Sequence, residues 1–399
     1  MSGRRLGTHK KTMTRHNKIL LVLALALVCV TAFMYCHPGI FPMSGFSGPE
    51  EYVVSPANVR LTGDSWRYIQ GGHALLHGEP LEDIHRSYLG YCLLYGIAGR
   101  GIVFLHLAFA FAALAALYNI GLRIGGQICA LLAAALFALN PEFAAWHCAI
   151  MTESIYTSCV CINAFLALWA MEKGRAWRMP MVFAWILLTA FIRPTGWIQL
   201  PAILLLWCFA LVPRLHWKVL CALAIVIGYV LCSIMFAEGG IQQQSPTIKL
   251  YSGEVVWCED LWRVKMPEAD FSKTSLLDGL LYGLRHPIAS GWLVIKRLGV
   301  MFLRIRPSYS LAHNLFLLAY HLPIALLGLA GIVLKRRLPQ AWAIATMLAA
   351  HAFVVAVTFN DNDGRFTLYF TPLLAIAACA TFVLCCEKII SRPKPQSES

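Results

Sequence analysis

Long apolar runs separated by short polar stretches dominate this chain of 399 residues. A helix of about 20 apolar residues crosses the hydrocarbon core of a bilayer, and about ten segments approach or reach that length. The third and fifth are short, which indicates tilted, broken or re-entrant helices. The pattern predicts an all-α polytopic membrane protein with about ten transmembrane helices. The segments lie at 19–35, 101–122, 127–139, 149–171, 179–192, 196–212, 217–237, 313–334, 339–358 and 366–387.

Composition and charge agree with this class. Hydrophobic residues make up 59% of the chain and charged residues 13%, against about 25% charged residues in soluble domains. The formal net charge of +13 does not indicate nucleic-acid binding, because the basic residues gather at the ends of the apolar segments. In membrane proteins Lys and Arg prefer cytoplasmic loops, and this preference explains the placement.

The same charge asymmetry predicts the orientation. Residues 1–18 are basic and contain no acid, so we expect a cytoplasmic N-terminus. Alternating the segments from there places the basic loops and the tail 388–399 inside. The transmembrane domain spans 19–387, with large outer segments at about 37–100 and 238–312. The compact length and the lack of a retention signal favour a bacterial inner membrane, with the outer segments facing the periplasm or exterior.

The outer segment 238–312 contains a second amphipathic stretch, from about Pro287 to Arg306. Its apolar residues are interrupted by basic residues, which is typical of a helix lying on a headgroup surface. We therefore expect an interfacial helix whose basic side chains face the headgroups. These side chains are Lys296, Arg297, Arg304 and Arg306.

Asp64 begins an amphipathic helical pattern in the first outer segment, which Gly78 ends. Asp is favoured as the N-terminal cap of a helix, because its carboxylate accepts a hydrogen bond from a free backbone N–H. The local pattern by itself favours this capping role. The alternative is a carboxylate that acts on a substrate at the membrane surface.

Several further ionisable residues fall on the same outer face under this topology. Ionisable groups near a membrane are costly and usually face a cavity or a partner. Each also has a structural explanation, since the helix dipole favours an acid at a helix start and a base at a helix end. For Arg365, at the start of the last segment, an anionic partner is needed, and the two nearest acids could supply it. The residues are Glu142, His147, Glu153, Arg193, Asp361, Asp363 and Arg365.

Two patterns could suggest a metal. His73 and His77 lie four residues apart, on one face of a helix, but no third ligand follows at a diagnostic spacing. The sequence D-N-D-G from Asp361 lacks the remaining ligands of a calcium loop. The residues therefore predict no metal site.

Five stretches together resemble the GT-C superfamily of membrane glycosyltransferases, in particular its family 39-like branch. They are D-S-W-R-Y-I-Q-G-G-H-A-L-L-H-G from Asp64, N-P-E-F-A-A-W-H-C-A-I-M-T-E from Asn140, A-F-I-R-P-T-G-W from Ala190, L-R-H-P-I-A-S-G-W-L-V-I-K-R from Leu284, and G-R-F-T-L-Y-F-T-P-L-L from Gly364. The likeness runs in order over about 19–387. Many relatives have two adjacent acids in the first loop, whereas here Ser65 follows Asp64.

The resemblance implies a GT-C-like fold and transfer of a sugar, with inversion, from a polyprenyl-phosphate donor on the extracytoplasmic face. The acceptor would be a lipid, a glycan or a protein. The hypothesis that follows makes Asp64 the general base and places Glu153, Arg193 and Arg365 around the donor phosphate. Glu142 would be a second acid or a turn residue, and a divalent metal stays open.

Two other classes remain as alternatives. A multi-pass transporter or lipid flippase would place polar groups at mid-membrane, often within internal repeats, and a noncatalytic scaffold would use the outer loops for binding.

Overall fold

The computed structural model describes residues 4–37, 39, 60–172, 177–237, 246–257, 262–306, 309–360 and 364–390. Within these ranges the chain is helical, with extended pairing limited to two isolated bridges, Arg60–Ala149 and Val256–Asn360. The helices are α1 Arg4–Cys36, α2 Ser65–His77, α3 Asp83–Arg86, α4 Leu89–Ala98, α5 Ile102–Ala138, α6 Pro141–His147, α7 Thr152–Ala170, α8 Arg178–Ala190, α9 Gln199–Leu211, α10 Leu215–Ala237, α11 Pro246–Tyr251, α12 Leu276–Arg285, α13 Pro287–Leu303, α14 Leu311–Leu334, α15 Pro339–Val357, α16 Arg365–Leu368 and α17 Thr371–Ile390.

Each apolar segment predicted from the sequence falls mostly on helical structure, so the chain is an all-α polytopic membrane protein. In the described part of the chain, seven helical segments are long and apolar enough to cross a membrane. The second and third predicted segments share the continuous stretch Leu89–Ala138, and the fifth corresponds to the shorter apolar helix Arg178–Ala190. The seventh lies on α10, whose side chains are described only over Leu215–Gly228.

The stretch α5 is a hairpin of two helical arms. Gly126 has φ 78° and ψ −168°, a backbone conformation that is open essentially to glycine alone. A Cβ atom added to Gly121 would lie 2.7 Å from the Cα atom of Ala130. Nine residues along one straight helix would span about 13 Å, so the chain reverses at Gly126. This confirms the predicted division into 101–122 and 127–139.

Small residues bring the central helices close together. Helix α17 packs against both α14 and α5. A Cβ atom on Gly331 of α14 would collide with the Ala377 carbonyl oxygen of α17. The Thr381 hydroxyl of α17 donates to the Leu327 carbonyl of α14 at 2.9 Å. Without a hydrophobic driving force between helices in lipid, such close packing and interhelical hydrogen bonds hold a bundle together.

Helix α13 differs from its prediction. Arg297, Arg304 and Arg306 are buried, so the expectation that they face headgroups is wrong. Arg297 donates to the backbone carbonyls of Lys249, Glu254 and Ala356 at 2.8–2.9 Å. These backbone acceptors lie far away in sequence, and a pattern within one helix gives no sign of them.

The outward side of α13 is apolar. Ile288, Trp292 and Ile295 are exposed, and the Lys296 ammonium lies 5.7 Å from the centre of the Trp292 ring. The interfacial placement of this helix stays a prediction.

Candidate functional site

Backbone hydrogen bonds place Asp64 beside the start of α7. The N–H of Arg60 donates to the Cys148 carbonyl, and the N–H of Ile150 donates to the Arg60 carbonyl, both at 3.0 Å. The Ser65 hydroxyl then donates to the Ile150 carbonyl at 3.0 Å. Residues 60–65 are thereby held against residues 148–150, immediately before α7.

Helix α2 is fixed by close packing on α4. A Cβ atom on Gly72 would lie 2.9 Å from the backbone nitrogen of Gly96, which shows how near the two backbones approach. The Tyr68 ring lies edge-on to the rings of Tyr88 and Tyr91, with centres 5.2 and 4.8 Å away. Burial raises the pKa of the Tyr68 hydroxyl well above its ordinary value, so this side chain is a neutral packing group.

Asp64 precedes α2, but its side chain makes no capping hydrogen bond. The capping interpretation is therefore wrong. The carboxylate contacts two guanidinium groups instead. Arg365 Nη1 donates to Asp64 Oδ2 at 3.0 Å, and Arg67 Nη1 lies 3.2 Å from Asp64 Oδ1.

Glu153 and Arg193 form a buried ion pair. Arg193 Nη1 lies 2.5 Å from Glu153 Oε1 and donates to the Thr152 hydroxyl at 3.0 Å. Its guanidinium also lies over the Tyr369 ring, 4.9 Å from the ring centre. The helix dipole favours Glu153 at the start of α7, but its contacts show a second role as the counter-ion of Arg193.

Arg365 joins the two pairs. Its Nη1 atom lies 3.5 Å from Glu153 Oε1 as well as 3.0 Å from Asp64 Oδ2. The partners of Arg365 thus include Asp64 and Glu153. Asp361 and Asp363, the partners expected from the sequence, lie outside the described residues. The structure therefore brings together four sequence-predicted residues that come from distant parts of the chain. They are Asp64, Glu153, Arg193 and Arg365. We call these four residues and Arg67 the acid–arginine cluster.

Exposure differs within the acid–arginine cluster. The side chains of Glu153, Arg193 and Arg365 are 1%, 7% and 9% exposed, whereas those of Asp64 and Arg67 are each 27% exposed. The cluster holds three guanidinium groups and two carboxylates, so it has one positive charge in excess. Such a group has a reachable acid and an electrostatic preference for an anion.

Sequence reasoning missed Arg67. The available signal was its spacing, since side chains three positions apart meet on a helix surface. Asp64 and Arg67 have this spacing at the start of α2. This spacing does not distinguish Arg67 from other residues, because an i, i+3 ion pair is common on any helix.

Glu142 belongs to a separate buried cluster. Both of its carboxylate oxygens accept hydrogen bonds from the Arg304 guanidinium, and His321 Nε2 lies 3.3 Å from Oε2. Burial alone would raise the pKa of the Glu142 carboxyl, but Arg304 and His321 outweigh it and lower that pKa from 4.5 to about 2. Within the described residues Glu142 makes no hydrogen bond or ion pair with the acid–arginine cluster.

The two clusters meet at the backbone. A Cβ atom on Gly364 would lie 2.6 Å from Arg304 Nη2, and Gly364 immediately precedes Arg365. Gly364 has φ 66°, a left-handed conformation that is costly for a residue with a Cβ atom. Arg304 thus packs directly against the turn that presents Arg365.

Among the described residues, the histidines singled out in the sequence contact neighbouring side chains and do not form a metal site. The His73 and His77 rings stack with centres 4.0 Å apart, and His147 Nδ1 lies 2.7 Å from the Ser154 hydroxyl. Among the described residues no group of three His, Cys, Asp or Glu side chains could hold a metal ion.

Fold and site together define the class: a polytopic helical membrane protein in which acids and arginines from distant segments converge. No protein-family profile and no curated protein matches the chain. Six chains of solved structures match it. Two of them are the Archaeoglobus fulgidus oligosaccharyltransferase. Its apo form is 16% identical with a TM-score of 0.48, and the match covers 95% of this chain and 52% of that one. Its complex with Zn and sulfate is 16% identical with a TM-score of 0.47, and the match covers 93% of this chain and 49% of that one. The chain spans about half the length of that enzyme, and a likeness this distant establishes neither family nor activity.

Proposed function

We propose that this protein is a GT-C-like membrane glycosyltransferase that moves a sugar from a polyprenyl-phosphate donor to an acceptor hydroxyl on the extracytoplasmic face. The observation that carries the proposal is the position of Arg365. It contacts a reachable acid, Asp64, and a buried acid, Glu153, at 3.0 and 3.5 Å. A lipid-phosphate leaving group and an acceptor hydroxyl require such a set: a base and adjacent guanidinium groups.

The reaction is a single displacement. The acceptor oxygen forms a bond to the anomeric carbon, and the bond between that carbon and the donor phosphate oxygen breaks. The bonding electron pair leaves with the lipid phosphate, and the configuration inverts. Asp64 takes the proton of the acceptor hydroxyl, a contribution worth about 10²–10⁴ in rate.

The guanidinium groups stabilise the negative charge that grows on the leaving phosphate. Preorganised donors at the position of developing charge are usually the largest electrostatic contribution to catalysis. Arg193 and Arg365 are held by Glu153, so they need little reorganisation during the reaction. Glu153 is in this scheme a positioning residue for both arginines.

Replacing Asp64 by Asn tests the proposal. Mass spectrometry of glycolipids and surface glycans from cells with and without the protein first identifies the sugar and the acceptor. Membranes containing the variant are then supplied with the labelled lipid-linked sugar. We expect transfer to fall about 10²–10⁴-fold while the protein still inserts.

Asp83→Asn is the matched control, since Asp83 also forms an i, i+3 pair with an arginine but is 64% exposed. Near-normal transfer by Asp64→Asn would remove Asp64 from the mechanism. Movement of an intact labelled lipid across the bilayer, without sugar transfer, would instead favour a transporter or flippase.

A further inference from the structure

Arg67 differs from the other two arginines of the acid–arginine cluster in its contacts. Arg193 and Arg365 each donate a hydrogen bond to a carboxylate. Arg67 lies 3.2 Å from Asp64, but within the described part of the chain its side chain makes no hydrogen bond. Its Nε atom is buried without a partner. Arg67 thus has the most exposed side chain of the three arginines, and its guanidinium makes no hydrogen bond within the described residues.

We infer that Arg67 receives the phosphate of the lipid-linked donor, and that this phosphate competes with the Asp64 carboxylate for its guanidinium. The inference rests on the proposed function and deepens it. The ligand class is a phosphate ester anion. Arginine suits it because the planar guanidinium can form two parallel hydrogen bonds with phosphate oxygens.

The competition has a chemical consequence for the base. In the present arrangement Asp64 lies between two guanidinium groups: its Oδ1 atom is 3.2 Å from Arg67 and its Oδ2 atom is 3.0 Å from Arg365. When the donor phosphate takes Arg67, Asp64 keeps Arg365 as a partner, and its Oδ1 atom becomes available to the acceptor hydroxyl. The donor therefore prepares the base, and we expect the donor to bind before the acceptor.

Binding, measured without catalysis, tests the inference. The full-length protein in phosphatidylcholine nanodiscs is titrated with a short-chain polyprenyl monophosphate that carries no sugar. Arg67→Gln should weaken binding roughly 10–100-fold, the usual effect of losing hydrogen bonds to a charged group. Arg67→Lys should bind between the two, because it keeps the charge and loses the planar fork.

Asp64→Asn gives the discriminating result. Removing the competing carboxylate should tighten polyprenyl phosphate binding about fivefold, although the same variant loses transfer. A purely structural role for Asp64 predicts unchanged or weaker binding. Arg86→Gln is the matched control, because Arg86 forms the same i, i+3 pair with Asp83 at 3.4 Å on an exposed surface, and it should bind as the wild type does.

Competitors identify the source of the phosphate. Inorganic phosphate, and phosphatidylglycerol added to the nanodiscs, should displace the polyprenyl phosphate only at concentrations more than about tenfold higher, since both lack its chain. Displacement by either at similar concentration would overturn the assignment to a lipid-linked donor.

Three further results would overturn the inference: no binding of polyprenyl phosphate by the wild type, wild-type binding by Arg67→Gln, or unchanged or weaker binding by Asp64→Asn. The Asp64→Asn titration decides the matter even if Arg67→Gln does not fold. Failure of the proposed function looks different. In that case the phosphate binds with the expected pattern, but the wild type transfers no sugar.

Discussion

The buried pair of Glu142 and Arg304 gives the sharpest stability prediction. The perturbation is Glu142→Gln, which keeps the size of the side chain and removes its charge. A pKa of about 2 in place of 4.5 corresponds, at about 1.4 kcal/mol per tenfold change, to about 3 kcal/mol. Breaking a buried ion pair by removing one partner costs about 3–5 kcal/mol, because the other charge stays buried. The two routes agree on a loss of about 3 kcal/mol.

The assay is reversible denaturation in mixed micelles, followed by tryptophan fluorescence, with the free energy of unfolding extrapolated to zero denaturant. Lys273→Gln is the control, because its partner Asp270 lies 3.9 Å away and the two side chains are 63% and 56% exposed. Exposed pairs of this kind contribute little to stability, because solvent screens them. A loss for Glu142→Gln no larger than that of the control would refute the reasoning that the pair is buried and strongly coupled.

Three more expectations follow from the geometry. Gly126→Ala should lower the free energy of unfolding by about 1–3 kcal/mol, because φ 78° and ψ −168° strain any residue with a Cβ atom. The control Gly299→Ala lies within α13, where the added Cβ has no atom within 4 Å, and should be neutral or stabilising in the same unfolding measurement. Because the pKa of Glu142 is lowered on folding, its contribution to the free energy of unfolding is full above about pH 4.5 and disappears as the pH falls through about 2. A stability difference between wild type and Glu142→Gln that stayed constant down to pH 2 would contradict this. Glu153→Gln should lose both stability and sugar transfer, since it leaves two buried guanidinium groups without their shared acid, whereas Glu153→Asp should keep part of both. Equal losses in the two variants, measured by thermal unfolding and by the transfer assay, would argue against a charge effect.

Features set by neighbouring residues could be predicted from the sequence. The apolar segments appear as helices because hydropathy and helical periodicity are local properties. The reversal at Gly126 was placed correctly, since the polar stretch Arg123–Gly126 separates two apolar runs. The cationic ends of the segments also indicate the class of protein, because Lys and Arg collect in the short cytoplasmic loops of membrane proteins.

Features set by distant residues could not be predicted with the same certainty. Asp64 and Arg365 are 301 positions apart, so the local pattern at Asp64 favoured a helix cap. Similarly, Arg297 in α13 and Arg304 just after it have partners in other helices and loops, and the helix pattern alone indicated a headgroup surface. The resemblance to known glycosyltransferases grouped Asp64 with three distant charged residues, but the ion pairs themselves depend on how distant segments pack in the folded chain.

The two backbone hydrogen bonds of Arg60 have a consequence for engineering the chain around residue 64. They use only main-chain N–H and carbonyl groups, which every residue except proline supplies. The side chain at position 60 can therefore be varied in a library without removing these two hydrogen bonds, whereas position 149 should stay Ala, because its side chain is fully buried in the hydrophobic core. Proline at position 60 or 150 should be omitted from such a library, because each loses one of these two donors.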